Sequence, residues 1–296
     1  MYENWELASK MLGKLACCTV ALVLTLSGCA TQIQKPKPVC PGKASAAEAL
    51  SALRLQCQKV SPLRASGTCL LTYYTEGKQR RENFPVRVWL NPPNEIYMQG
   101  DVAFDPRGIV VGSNEEEFWL AIRLKEVSSY WWGRWEEASY LDELVISPRV
   151  VLEALGVAAI GSEKEGAENW SLSQEGAFDV LTESTDEGRI VKRIYVFCCD
   201  YLIHRIEYLG PDGEVIVAAE LDKYRQVVEG FSVPSTIQIV RPDGNAEDLT
   251  SITVTLRSVK PVRFTEQQRS RLFTRPPAQG FEHVLINVGG TWVEQQ

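Results

Sequence analysis

The sequence predicts a mainly β domain, in which a curved antiparallel sheet forms an unclosed half-barrel with helices covering its concave face. About a dozen short runs rich in Val, Ile, Tyr, Trp and Phe follow one another between turn-like separators. Two further segments have the periodicity of amphipathic helices, and their apolar stripes need a surface to cover. A sheet of this many strands does not stay flat, and a fully closed barrel would leave the helices without a partner.

The N-terminus has the features of an export signal. Lys10 and Lys14 precede an apolar run from Leu15 to Leu26, which is too short for a transmembrane helix because a spanning segment needs about 20 apolar residues. The run leads into Leu26-Ser27-Gly28-Cys29, which resembles the lipobox of bacterial lipoproteins. In that motif the cysteine carries a diacylglyceryl thioether and becomes the first mature residue. The alternative is an ordinary cleavage site with an incidental cysteine.

The lipobox predicts a signal peptide over residues 1–28 and a lipid anchor at Cys29. Residues 29–44 are rich in proline and lack an apolar period, which predicts an extended lipidated tether. Ala30 stands where inner-membrane lipoproteins of enteric bacteria have aspartate, so the resemblance favours the outer membrane. We therefore expect a cell-envelope protein, anchored by its N-terminal lipid on the periplasmic face of the outer membrane.

The mature chain contains five cysteines beyond the anchor, and an odd number cannot all pair within one chain. The adjacent Cys198 and Cys199 lie in an apolar strand-like run. We expect both to be buried free thiols, because neighbouring cysteines bridge only through a strained ring. A bond from Cys40 to Cys57 or to Cys69 is possible.

The first element of the folded domain is a helix over about residues 46–60. Ser45 and Glu48 are spaced as in a capping box, and Pro62 closes the segment. The apolar residues between them share one stripe, which contains Leu50, Leu53, Cys57 and Val60.

Two series of strands follow, separated by a second helix. The first series comprises residues 66–75, 84–90, 95–104, 116–124 and 128–135. Ser147-Pro148 then opens a short apolar helix, which Gly156 ends. The second series comprises residues 169–173, 177–183, 189–198, 201–209, 214–223, 234–240 and 249–259. The strands and helices thus predict a folded domain over residues 45–260. A C-terminal extension over residues 261–296 follows it. Within the extension, Phe281 to Val288 either adds a strand or packs over the sheet.

This layout resembles the LolA/LolB-like superfamily of lipoprotein carriers and receptors. The motifs that carry the resemblance are Ser66-Gly67, Val88-Trp89-Leu90-Asn91-Pro92-Pro93, Glu95 to Met98, Gly112-Ser113-Asn114, Phe118-Trp119-Leu120 and Ser147-Pro148. The resemblance implies an eleven-stranded unclosed barrel that is capped by helices and binds acyl chains in its cavity. It also implies lipids or lipoprotein acyl chains, and a periplasmic carrier, as partners. The extension and the segment around residues 157–168 depart from the pattern.

Strand parity predicts which side chains would line such a cavity, because alternate residues share one face. The predicted ligand-cavity residues are Leu50, Leu53, Ile96, Met98, Val102, Phe118, Leu120, Ile122, Trp132, Val151, Leu152 and Leu155. The alternative is that these side chains form a plain core without a ligand. The aromatic stretch Tyr130 to Trp135 is either an acyl-contacting wall or a set of rings divided between the core and its neighbours.

The sequence contains no catalytic constellation, so we expect a protein that is not an enzyme, with no cofactor and no metal. Its only histidines are His204 and His283, and it has no nucleophile elbow, phosphate loop or metal-spaced carboxylate set. Its net charge of −7 and the lack of a Lys/Arg cluster argue against a nucleic-acid partner. Two functions therefore fit the chain, an envelope lipoprotein that binds lipid or lipoprotein acyl chains and a structural or interaction scaffold without a cavity.

Overall fold

The computed structural model describes residues 40–75, 77–102, 105–124, 127–137, 148–156, 167–241 and 249–295. The predicted signal peptide and the anchor residue Cys29 lie outside these ranges. Three helices are described, α1 (Ala46–Cys57), α2 (Pro148–Ala154) and α3 (Glu266–Leu272), and a 3₁₀ turn at Ala167–Asn169. The strands are β1 (Leu63–Thr75), β2 (Lys78–Asn91), β3 (Glu95–Val102), β4 (Asp105–Ser113), β5 (Glu117–Leu124), β6 (Val127–Arg134), β7 (Trp170–Glu175), β8 (Phe178–Ser184), β9 (Ile190–Phe197), β10 (Ile203–Leu209), β11 (Val215–Val228), β12 (Phe231–Val240), β13 (Leu249–Pro261), β14 (His283–Val288) and β15 (Thr291–Glu294).

All fifteen described strands belong to one sheet, in the order β15-β14-β6-β5-β4-β3-β2-β1-β13-β12-β11-β10-β9-β8-β7. Neighbouring strands are antiparallel, except that β14 runs parallel to β6. The two end strands, β15 and β7, do not pair with each other, so the sheet is unclosed. The predicted fold class is confirmed. The described part has fifteen strands rather than the eleven that the resemblance implied, and two of the additional strands, β14 and β15, come from the extension.

The contacts of α2 show that the sheet is curved. This helix of seven residues is only about 10 Å long, yet it contacts β4 and β5 as well as β11. Strands β4 and β11 are six positions apart in the sheet, which is about 29 Å on a flat surface. Both strands reach one short helix because the sheet curls around it. We call the side that faces α1 and α2 the concave face, and the opposite side the outer face.

Helix α1 begins as the sequence predicted. The side-chain oxygen of Ser45 accepts a hydrogen bond from the Glu48 amide at 3.2 Å, which satisfies one of the free donors of the first turn. Ala49, Leu50 and Leu53 are buried beneath the helix. It ends at Cys57 rather than at residue 60, because the amides of Lys59 and Val60 bond three residues back in tighter turns before the chain enters β1.

Alternation along the strands divides the apolar residues between the two faces. In β5, Phe118, Leu120 and Ile122 join the main core on the concave face, whereas Trp119 and Ala121 form a smaller cluster on the outer face. A strand that is apolar on both faces needs cover on both. At β5, helix α2 covers the concave face, and the C-terminal extension covers the outer face.

The extension crosses the outer face before it joins the sheet. Phe281 packs on Tyr130 with ring centroids 5.2 Å apart, and the Tyr130 hydroxyl donates a 2.7 Å hydrogen bond to the Pro276 carbonyl. The chain then pairs with β6 as β14. The two alternatives for residues 281–288 are therefore both realised, since Phe281 covers the sheet and His283–Val288 extends it.

The cysteine pairing differs from the prediction. Cys40 forms a disulfide with Cys199, 159 residues away, while Cys57, Cys69 and Cys198, the other cysteines of the described ranges, are not in disulfides. The expectation of two vicinal free thiols was wrong for Cys199, and so were the proposed partners of Cys40. The turn between β9 and β10 carries Cys199 out of the strand run and towards the segment before α1, a proximity that only the tertiary fold creates.

Candidate functional site

A cavity of about 320 Å³ opens between the end of α1, Gly156 in the turn after α2, and strands β10 to β12. Its volume lies at the lower end of the range for small-molecule sites, about 300–1,000 Å³. Its apolar side chains are Leu53, Leu202, Ile203 and Phe231, with Tyr224 beside them. The polar residues are Gln56, Asp200, Gln226 and Ser232. Polar and apolar side chains thus share the wall, and Leu53, Ile203 and Phe231 connect it to the main core.

Hydrogen bonds across the cavity hold its walls together. The side-chain amide of Gln56 donates a hydrogen bond to the Tyr201 carbonyl at 3.1 Å, and the Tyr224 hydroxyl donates one to the Ile203 carbonyl. Burial raises the pKa of Tyr224, so this hydroxyl stays protonated and remains a donor. The Cys57 thiol lies 3.7 Å from the Gly156 carbonyl and connects the ends of the two helices.

Gly156 occupies the position that the sequence predicted for the end of the second helix. Its φ is 70°, a left-handed conformation that glycine adopts without steric strain. Its amide donates to the Glu153 carbonyl at 2.9 Å. The residue thus both ends the turn after α2 and forms part of the cavity wall.

Eleven of the twelve predicted cavity residues come together in the main core of the concave face. They are Leu50, Leu53, Ile96, Met98, Val102, Phe118, Leu120, Ile122, Val151, Leu152 and Leu155. Each exposes at most 7% of its surface, and Leu53 is the member of this set that lines the cavity described above. The remaining ten are packed against one another and against the helices.

Trp132 is the exception among the predicted residues, because it packs on the outer face. The register of β5 with β6 places Trp131 opposite Leu120 and Trp132 opposite Trp119. Trp131 therefore has the position on the concave face that was expected of Trp132. The Arg275 guanidinium instead lies over the Trp132 ring, 3.8 Å from the ring centroid, in a cation–π contact.

A buried polar cluster beneath α2 had no recognisable signal in the sequence. Lys192 of β9 lies within 3.2 Å of Glu153 of α2 and within 3.4 Å of Glu183 of β8, and the Tyr208 hydroxyl donates to Glu153 at 2.6 Å. All four side chains are buried. Burial, with the nearby Glu153 carboxylate, raises the pKa of Tyr208 well above its ordinary value, so the hydroxyl is a permanent donor.

A second polar cluster holds the segment before α1 beside the cavity. Asp179 is fully buried, and its carboxylate accepts hydrogen bonds from the Lys43 amide at 2.8 Å and the Tyr201 hydroxyl at 3.2 Å. The disulfide partner Cys199 directly precedes Asp200, which lines the cavity. The last residues of the predicted tether, from Cys40 onward, are therefore fixed to the domain next to the cavity mouth.

Neither a membrane span nor a metal site is found among the residues that the structure describes. No helix there is long and apolar enough to cross a membrane. The same residues contain no group of three His, Cys, Asp or Glu side chains that could hold a metal ion. His204 packs against the rings of Phe178, Phe197 and Tyr224 at 5.7 to 5.9 Å.

No protein-family model matches the chain, and no curated protein matches its sequence. The fold is similar to that of a LolA superfamily protein from Nitrosomonas europaea, with 10% identity, a TM-score of 0.49, and coverage of 79% of this chain and 99% of the other. A DUF1329 family protein from Desulfovibrio piger has 12% identity and a TM-score of 0.48, over 76% and 98% of the two chains. A domain named as an outer membrane lipoprotein-sorting protein, from Vibrio parahaemolyticus, has 10% identity and a TM-score of 0.47, over 76% and 94%. The first of these belongs to the superfamily that the sequence motifs resemble.

Proposed function

We propose that this chain is a lipid-anchored envelope protein that binds the acyl chains of a lipid or a lipoprotein between its helices and the concave face of the sheet. The supporting observation is the cavity beside Leu53, whose wall is continuous with the apolar core beneath α1 and α2. An acyl chain gains about 0.8 kcal/mol for each methylene group that leaves water. Apolar contacts are not directional, so the same site could release the chain to a partner.

Helix α2 is the element that we expect to move when a ligand enters. It has only seven residues, and its apolar side chains cover the core directly above the sheet. Gly156, two residues after the end of this helix, already forms part of the cavity wall. A displacement of this helix would join the cavity to the space now filled by Val151, Leu152 and Leu155.

The anchor at Cys29 restricts the role of such a protein. A chain that is permanently attached to a membrane cannot carry a lipid across the periplasm by diffusion. It would receive acyl chains from a soluble periplasmic carrier, donate them to one, or handle lipids at its own membrane. We place it on the periplasmic face of the outer membrane, on the basis of the lipobox and Ala30.

A scaffold function is the second candidate, and one observation favours it. Eleven of the twelve predicted lining residues expose at most 7% of their surface, which is also what a plain core shows. In that case the curved sheet would serve as a rigid platform in an envelope complex, and the cavity would have no ligand.

Native mass spectrometry and lipid titration distinguish the two functions. The protein would be residues 30–296, which contain the whole compact unit and lack the anchor cysteine, purified without detergent. We expect co-purified lipid, or binding of added oleate. Gln226→Trp at the cavity mouth should weaken this binding strongly, whereas Gln238→Trp, at an exposed position of β12 outside the cavity, should not. A domain that remains empty and does not bind oleate would exclude the lipid-binding function.

A further inference from the structure

Three polar side chains lie in register across neighbouring strands of the concave face. Glu183 of β8 is the direct partner of Lys192 in β9, and Lys192 is the direct partner of Tyr208 in β10. The exposed fractions of Glu183, Lys192 and Tyr208 are only 6%, 3% and 4%. Most residues that share this face further along the same strands are apolar, namely Leu181, Ile194, Val196 and Ile206, and Asp179 is the buried polar exception. A lysine in such surroundings is unusual, because burial of a charge is unfavourable unless the charge is paired.

Helix α2 carries a carboxylate into this row. One oxygen of Glu153 accepts a hydrogen bond from the Lys192 ammonium at 3.2 Å, and the other accepts one from the Tyr208 hydroxyl at 2.6 Å. The two donors belong to the sheet, whereas the acceptor belongs to the covering helix. Arg149 of the same helix contributes positive charge near Tyr208. The sheet therefore offers a two-donor site for an anion, and the helix fills it.

We propose that Lys192 and Tyr208 form the binding site for the anionic head group of an acylated ligand, and that Glu153 occupies this site while α2 covers the core. This inference rests on the proposed lipid-binding function and specifies its ligand class. When α2 moves away, Glu153 leaves with it. Lys192 then retains Glu183, and the Tyr208 hydroxyl loses its acceptor. A ligand carboxylate at this position restores the same charge balance and the same two hydrogen bonds.

Strand β10 connects the head-group site to the cavity. Ile203, at the beginning of the strand, lines the cavity, and Tyr208, near its end, lies in the polar row. The two residues are five positions apart, which is about 17 Å along a strand. An irregularity between Ile203 and Arg205 brings Ile203, Ile206 and Tyr208 into the same core cluster. An acyl chain lying along β10 would thus have its head at Lys192 and its tail in the cavity.

The test compares oleate with oleyl alcohol, which has the same chain and a neutral head. Dissociation constants would be measured at pH 7.5 by tryptophan fluorescence for residues 30–296. We expect oleate to bind about tenfold or more tightly than the alcohol, because hydrogen bonds to a charged group are stronger than neutral ones. Lys192→Met should abolish this preference. Glu153→Gln should tighten oleate binding, because it removes the competing carboxylate.

Tyr208→Phe keeps the proposal testable if Lys192→Met does not fold. It removes one hydroxyl from a buried ring and should reduce the preference for oleate severalfold. Equal affinity of the unmodified protein for the two ligands would overturn the proposal and leave lipid binding intact. A preference that survives both Lys192→Met and Tyr208→Phe would overturn it as well. If neither ligand binds, both the head-group site and the lipid-binding function are refuted.

Discussion

Arg269 forms a two-point ion pair with Glu95, with nitrogen–oxygen distances of 3.0 and 3.3 Å between residues 174 positions apart. Glu95 begins β3, and Arg269 belongs to α3 in the C-terminal extension. The Glu95 side chain is largely buried, and it also accepts a hydrogen bond from the side-chain amide of Asn91. The pair therefore attaches the extension to the sheet at a defined point.

We predict that Arg269→Gln loosens the extension and lowers the midpoint of thermal unfolding. The physical reason is that Glu95 would remain largely buried with one charge-assisted partner removed. Arg271→Gln is the matched control, because Arg271 is exposed in the same helix and no carboxylate of the described residues lies within 4 Å of it. Equal midpoints for the two variants, measured by circular dichroism, would contradict the attachment role.

Removal of the disulfide should destabilise the domain substantially. Cys40 and Cys199 close a loop of 159 residues, and a cross-link of that span restricts the unfolded chain enough to contribute about 2–5 kcal/mol. We expect the Cys40→Ser, Cys199→Ser double variant to show that loss in urea unfolding. Cys198→Ser, which removes the neighbouring free thiol, should change stability far less. A double variant as stable as its parent would show that the bond does not constrain the chain.

The thiols of Cys57 and Cys69 should differ in their reactivity towards iodoacetamide at pH 8. Burial raises the pKa of Cys69 to about 12, so only about one molecule in 10⁴ carries the reactive thiolate at that pH. Cys57 is half-buried and lines the cavity. We expect alkylation at Cys57 well before Cys69, mapped by peptide mass spectrometry. Oleate should slow the reaction of Cys57, and unchanged labelling with saturating oleate would argue against ligand entry there.

Alkaline pH should unfold the domain through its buried tyrosines. Burial raises the pKa of Tyr130 to about 12, and it also raises the pKa values of Tyr201, Tyr208 and Tyr224. In the unfolded chain these phenols ionise near pH 10, so the unfolded state binds fewer protons above that pH. Their contribution to stability is therefore complete below about pH 10 and is lost as the pH rises further.

The slope of this loss provides the measurement. Each phenol that ionises only on unfolding decreases the free energy of unfolding by about 1.4 kcal/mol per pH unit above pH 10. Urea unfolding between pH 8 and 11.5 should show a flat region and then a decline. Tyr224→Phe should reduce the slope of the decline. A stability that is independent of pH up to 11.5 would refute the prediction.

The sequence was sufficient to predict most of the strands and one face of the sheet, because alternation is a local property, but β4 and β15 were not among the predicted runs. Phe118, Leu120 and Ile122 follow strict parity in β5 and are buried together. Helix α3 left no such pattern, since none of its residues is buried, and its only local signal was the capping box of Thr265 and Gln268.

The polar cluster and the disulfide depend on register and topology, which one sequence does not reveal. Glu183 and Lys192 become partners through the β8–β9 hairpin, but Glu153 reaches them from a helix that is distant along the chain. Cys40 and Cys199 approach each other only when the first described residues meet the turn before β10. Trp132 was assigned to the concave face without the β5–β6 register, which places Trp131 there instead.

The central pairing of the sheet determines when this protein can fold. Strand β1 lies between β2 and β13, and Leu63 is the partner of Pro261. The two halves of the sheet therefore cannot join until almost the whole chain is available. Contacts this remote in sequence make folding slow and leave strand edges exposed in the meantime. As the chain becomes available from its N-terminus, the half formed by β1 to β6 would be complete before β13 is present, and this interval is when protection by a chaperone would matter most.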